Sequence, residues 1–160
     1  MKLSVDEDLS EYIKAFESYF DVEHLDGLEC SNELALDWLS KQSHKLRRQR
    51  EFRRLNEWTR ALFESEFRKK FRPPVQIDFV NPFVGLGVFA KERLKPLTYI
   101  GEYAGVIRER RRQRDELNDY VFRYIESRFR APFLIDAKSK GNFCRFINHS
   151  DDPNLLSRPL

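Results

Sequence analysis

Apolar residues recur at helical spacing near the start of the chain. Leu9, Tyr12, Ile13, Phe16 and Phe20 share one face of a helix. Ser4 and Glu7 stand at capping-box spacing, so this helix is expected to begin beside them, and Gly27 to break it. Ser31 or Asn32 can cap a second helical stretch. It carries Trp38, Leu39 and Leu46, then Leu55, Thr59, Leu62, Phe63 and Phe67. It reads as one long helix or as two, with the break at residues 40–43. Pro73-Pro74 ends it, because proline lacks the N–H and clashes with the preceding turn. Beyond that point the period becomes two. Val75, Ile77 and Phe79 alternate with Gln76, Asp78 and Val80, a strand pattern, and Asn81-Pro82 marks a turn. Residues 86–90 and 99–107 read as short strands separated by Pro96, and residues 108–117 (RERRRQRDEL) as a short polar helix. Residues 120–125, 133–136 and 143–147 read as strands. The expected fold class is α+β: a helical N-terminal region, residues 1–72, then a mostly β region, residues 73–160.

Composition agrees with a packed core. Hydrophobic residues make up 41% of the chain, and fourteen are phenylalanine, which excludes global disorder. No apolar run has the length a bilayer-spanning helix requires. The opening residues MKLSVDEDLSEYIKAF are acidic where a signal peptide would be basic and then apolar, so no signal peptide and a cytosolic or nuclear location are expected. Cys30 and Cys144 form no CxxC pair, and no histidine stands at zinc spacing from them, which reads as two reduced thiols. The net charge of +3 conceals a strong asymmetry. Residues 1–40 carry eleven acidic and two basic side chains, and residues 41–72 carry twelve basic and four acidic. The run KLRRQREFRR, from Lys45 to Arg54, can contact nucleic acid or form one solvated face of a helix balanced by the acidic segment.

Four stretches of the β region carry the chemistry. They are GLGVFA (residues 85–90), YIGEYAGVI (99–107), DYVFRYI (119–125) and LIDAKSKGNFCRFINHSDDPNL (134–155). A lone G-x-G marks any tight turn. The last stretch is long, polar and without a simple packing explanation. Together and in this order, the four resemble the SET-domain family of protein lysine methyltransferases, over residues 75–160. The wording is similar to that of the bacterial, chlamydial-type members.

That resemblance implies methyl transfer from S-adenosylmethionine to a lysine of a basic protein, a histone or histone-like protein. Gly85, Leu86 and Gly87 would pass the cofactor with their backbone, where a side chain would block close approach. Asn148 would hold its methionine portion through the side-chain amide, and His149 would meet the adenine largely through its backbone. Arg145 would either reach the cofactor carboxylate or buttress the loop, and Gly141-Asn142 would support it. Tyr103 would lie near the transfer point, and Tyr120 would be shared by the cofactor pocket and the lysine channel. The reaction requires alignment of nucleophile and methyl group, and a neutral amine, which an aromatic channel favours.

Two departures from the family pattern matter. Where many members place a zinc-binding cysteine after Asn-His-Ser, this chain has Asp151, so no metal is expected. The family continues past Pro-Asn to a further strand, a GEEL-like segment and another tyrosine. The SET domain is therefore expected to lack its C-terminal segment, and the quoted residues to form half of the catalytic set. If bacterial, the protein is expected in the cytoplasm, with export to a host nucleus open. The alternative function is a catalytically dead SET-like module that binds chromatin-like partners. A third reading is a basic helical DNA-binding protein with an incidental β domain.

Overall fold

The computed structural model describes residues 2–122 and 132–158. The chain opens with a short strand, β1 (Leu3–Ser4), followed by helix α1 (Leu9–Phe20). Asp8, not Ser4, is the cap of α1: its Oδ1 accepts from the backbone N–H groups of Ser10 at 2.9 Å and Glu11 at 3.2 Å. Ser4 instead pairs with Gln76 in a sheet. The helix ends at Phe20, well before Gly27. Asp21 adopts a left-handed conformation (φ 52°) and donates its N–H to the Glu17 carbonyl at 3.0 Å. Gly27 separates two short strands, β2 (Glu23–His24) and β3 (Leu28–Cys30).

Asn32 caps helix α2 (Glu33–Arg47), its Oδ1 accepting from the Ala35 N–H at 2.9 Å. Residues 40–43 do not break the helix. The Lys41–Asp37 pair, 2.6 Å, spans that turn instead. The chain turns at Arg48 and Gln49, and helix α3 (Arg50–Lys69) follows, kinked at Phe63. The new direction brings the Phe63 and Phe67 rings to 5.6 and 5.2 Å from that of Tyr99. Lys70, left-handed at φ 48°, ends α3 just ahead of Pro73-Pro74.

The later strands are β4 (Val75–Asn81), β5 (Gly85–Ala90), β6 (Gly105–Glu109), β7 (Val121–Phe122), β8 (Phe133–Asp136) and β9 (Lys140–Gly141), with a one-turn helix α4 (Arg112–Asp115) between β6 and β7. Among the described residues these form three small sheets, with orders β1-β4-β5, β2-β9 and β3-β6-β8-β7. The α+β class expected from the sequence holds. Strands from the first thirty residues pair with strands more than seventy residues later, so both regions are tied into the same sheets.

Three further expectations differ from the structure. Residues 99–104 are irregular and only the end of the expected strand forms. The Glu102 carbonyl accepts from Asn142 Nδ2 at 2.9 Å rather than joining a ladder. The polar helix expected at 108–117 shrinks to α4, because β6 runs on to Glu109. The strand expected at 143–147 is a single 3-10 turn, Phe143–Phe146, whose four side chains are all buried. Asn142 Oδ1 accepts from the Cys144 N–H at 3.1 Å and starts that turn. A short run buried on every side has no period to read. Of the strand expected at 120–125, residues 123–125 lie outside the described residues.

One core cluster joins Val5, Tyr12 and Phe16 to Ile77, Phe143 and Phe146. The second joins Ala35 and Ile107 to Phe133 and Ile135, with the Trp38 ring stacked on Phe133 at 4.9 Å. Tyr103 packs against both.

An ionic knot closes the β6-β8-β7 end. Arg108 donates to Asp136 Oδ2 at 2.7 Å and to Asp115 Oδ1 at 2.6 Å. Burial pushes both carboxyls up. The bonds from Arg108 and from backbone N–H groups, with that of Asn118 at Asp136, outweigh it and hold both below the usual carboxylate range. A depressed folded-state pKa contributes stability that is complete above the unfolded value near ~4 and is lost as pH falls through the folded value. Thermal midpoints should therefore hold between about pH 5 and 7 and fall in steeper acid. Asp136→Asn should flatten that acid limb in a series of melting curves.

Candidate functional site

The β4-β5 hairpin presents the glycine turn. Asn81 Oδ1 accepts from the N–H groups of Phe83 and Val84, both at 2.9 Å, which tightens the connection. Gly85 follows at φ +77°, a conformation that side chains rarely adopt. The ladder slips between Phe79 and Asn81, and this bulge brings Val80 against Gly87. A Cβ on Gly87 would lie 2.6 Å from Val80 Cγ2 and 3.1 Å from Asn148 Nδ2. A side chain at this position would force Val80 to move and would crowd the Asn148 amide. Asn148 Nδ2 donates to the Leu86 carbonyl at 3.0 Å. Its Oδ1 makes no hydrogen bond among the described residues.

The buried 3-10 turn places the remaining residues. Arg145, three positions before Asn148, lays its guanidinium 3.7 Å from the Tyr120 ring centroid and 4.9 Å from that of Phe146. Its Nη2 donates to the Lys138 carbonyl at 3.1 Å, and its buried Nε has no partner among the described residues. Burial lowers the pKa of Arg145, and the neighbouring Tyr120 and Tyr103 hydroxyls oppose that shift.

Tyr103 donates its hydroxyl proton to the Tyr120 carbonyl at 3.1 Å, and its ring lies 5.0 Å from that of Phe122. Burial raises the Tyr103 pKa, so the phenol stays neutral at physiological pH. The Tyr120 backbone is fixed at both ends. Its N–H donates to Asn118 Oδ1 at 3.0 Å, and its carbonyl also accepts from the Ala137 N–H at 2.9 Å. Asn118 in turn donates to Asp136 Oδ1 at 3.1 Å, which ties the tyrosine to the Arg108 knot.

Of the residues singled out in the sequence, Gly85, Leu86, Gly87 and Asn148 come together at one place. Tyr103, Tyr120 and Arg145 come together at another, and the 3-10 turn joins the two. His149 enters neither: its side chain is 90% exposed, with Nε2 3.4 Å from Asp151 Oδ1. Sequence reasoning missed Asn118, Asp136 and Arg108, which position Tyr120, and Val80, which packs at Gly87. Asn118 stands beside the DYVF motif, and that adjacency was the one signal that pointed to it. A further cleft of about 1010 Å³ lies among α1, the end of α3 and residues 99–102, and none of the predicted site residues lines it.

Residues 85–159 match the family model described as SET domain. The chain is 37% identical over 79 residues to the histone-lysine N-methyltransferase mes-4 of Caenorhabditis elegans, a match covering 46% of this chain and 9% of that protein. It is 36% identical over 92 residues to the H3 lysine-36 specific histone-lysine N-methyltransferase of Saccharomyces cerevisiae, covering 55% of this chain and 12% of that protein. These matches thus span 9% and 12% of their curated relatives. Among solved structures, ATXR5 in complex with histone H3.1 mono-methylated on R26 aligns with a TM-score of 0.56 at 20% identity. That alignment covers 94% of this chain and 74% of that one, and shows a common fold.

Proposed function

From the match of residues 85–159 to the SET domain, we propose that the protein is a protein-lysine N-methyltransferase that uses S-adenosylmethionine and acts on a histone or histone-like protein. One observation carries the reading: the Asn148 side chain docks on the Leu86 carbonyl beside a glycine where a Cβ would collide with Val80 and crowd the amide. This is a cradle built at a cost in sequence freedom, and it exposes backbone and a free amide oxygen.

The residues present fit the cofactor. S-adenosylmethionine, when bound, supplies a methyl group on an electrophilic sulfonium. Residues 85–87 offer bare backbone along one side of it. Asn148 Oδ1 can accept from an ammonium, and Nδ2, which spends one N–H on the Leu86 carbonyl, keeps a second for a carboxylate. His149 contributes through its backbone, since its side chain points to solvent. Arg145 buttresses the Tyr120 ring with its guanidinium face and the Lys138 carbonyl with Nη2, and its Nε, unpartnered among the described residues, leaves it a donor for the cofactor carboxylate as well.

The substrate amine must arrive neutral, since an ammonium has no lone pair. The aromatic surroundings of Tyr103, Tyr120 and Phe122 disfavour the charged form. Tyr103 has its proton directed at the Tyr120 carbonyl, which leaves its oxygen lone pairs to accept an N–H of the amine. That contact would fix the orientation of the amine nitrogen. The site is proposed to work without zinc, Asp151 standing where a thiolate would be needed.

Transfer of labelled methyl groups from S-adenosylmethionine to mixed histones tests the reading. Tyr103→Phe should lower turnover by about 10- to 100-fold while cofactor affinity stays within about twofold, because the hydroxyl orients the amine and not the cofactor. Binding of chromatin-like partners with no transfer would mark a SET-like interaction module instead. Kinship with bacterial, chlamydial-type proteins, and with it a cytoplasmic protein able to reach a host nucleus, is proposed on the wording of residues 99–107 and 145–154 alone; the relatives named above are eukaryotic.

A further inference from the structure

Helices α2 and α3 meet at a corner that carries six cations. Lys45 and Arg47 stand on the last turn of α2, Arg48 follows it, and Arg50, Arg53 and Arg54 stand on the first turns of α3. All six are exposed. The acidic segment, residues 1–40, could have neutralised them, but the fold directs its carboxylates elsewhere. Asp26 pairs with Lys70 and Asp37 with Lys41, each at 2.6 Å, and Asp6 pairs with Lys91 at 2.8 Å. Glu23 and Glu29 both reach Lys140, at 2.9 and 3.4 Å. Among the described residues, Arg53 is the one member of the six with a carboxylate within 4.0 Å. That partner is Glu57, at 3.8 Å on the same exposed helix face.

Folding thus concentrates six cations at this corner against Glu51 and Glu57 on the same stretch of α3, and a polyanion relieves the remaining repulsion. Five of the six are arginine, whose planar fork gives two parallel bonds to a phosphodiester. Trp58, one helical turn beyond Arg54, is 54% exposed and offers a stacking surface next to the cations. A lipid surface would favour apolar side chains projecting among the cations. Leu46, Phe52 and Leu55, which lie among them in sequence, are instead half-buried. We propose that this corner binds the phosphate backbone of a nucleic acid. The inference stands apart from the methyl-transfer reading.

Fluorescence anisotropy of a labelled DNA duplex, titrated with the 160-residue chain at several salt concentrations, tests it. The logarithm of affinity should fall linearly with the logarithm of salt, with a slope that reaches about −5.4 when six phosphates are neutralised. The triple variant R47Q/R50Q/R54Q, at exposed positions outside any ion pair among the described residues, should weaken binding at least ~10-fold at low salt and reduce the slope by about 2.7. The Arg111→Gln/Arg114→Gln variant, at α4, should leave both unchanged. The proposal is overturned if the duplex does not bind, if the triple variant keeps the full slope, or if the α4 variant takes the loss. Binding to phosphatidylserine vesicles but not to the duplex overturns it as well.

Discussion

Asn148→Ala is expected to reduce methyl transfer about 100-fold or more, the largest catalytic effect of any single substitution in the site. The amide has two tasks. Its Nδ2 holds the loop to the Leu86 carbonyl at 3.0 Å, and its Oδ1 is free to accept from the ammonium of the cofactor. A neutral hydrogen bond of this kind contributes about 0.5–1.5 kcal/mol, and one to a charged group about 1.5–3 kcal/mol. Together these correspond to roughly two decades of affinity, at ~1.4 kcal/mol per tenfold. Asn148 is exposed, so the fold itself should lose less than about 1 kcal/mol. Calorimetric titration with S-adenosylmethionine and urea denaturation separate the two effects. Undiminished transfer in the variant would remove Asn148 from the site.

Arg108→Leu should cost about 3 kcal/mol of folding stability, the largest structural effect in the β region outside its apolar core. The substitution leaves Asp115 and Asp136, whose side chains are 6% and 18% exposed, without their cation. The penalty belongs to the charged carboxylates, so it should shrink as they are protonated below about pH 4. Equilibrium unfolding in urea at pH 7 and in acid reads both numbers. A loss under about 1 kcal/mol at pH 7 would mean that solvent already screens the knot. The same variant should weaken the site, because Asp136 holds Asn118 and Asn118 holds the Tyr120 backbone.

Local signals were legible where the local chain decides the outcome. The Asn32 cap, the alternation of β4 and the short strand β8 depend on near neighbours, and each lies where the sequence places it. The capping box at Ser4 and Glu7 misleads because a competitor lies far along the chain: Ser4 pairs with Gln76 of β4, and Asp8 is left to cap α1. The buried turn at Phe143–Phe146 has no polar face, so its period cannot separate strand from helix. The same division runs through the site. The glycine turn and the Asn148 loop carry unusual residues and stand out as motifs. Arg108, Asp115, Asn118 and Asp136 look like ordinary surface residues in the sequence. Their function in positioning Tyr120 exists only once β6, α4 and β8 come together.

Backbone amide shifts, followed by NMR while S-adenosylmethionine is added to the 160-residue chain, report most directly on whether two distant segments form one pocket. Signals of Gly85, Leu86, Gly87, Asn148 and His149 should move together along a single saturation curve, with those of α3 unmoved. If the responding amides lie instead around the α1–α3 cleft, or if nothing responds at millimolar cofactor, the pocket is not where it has been placed.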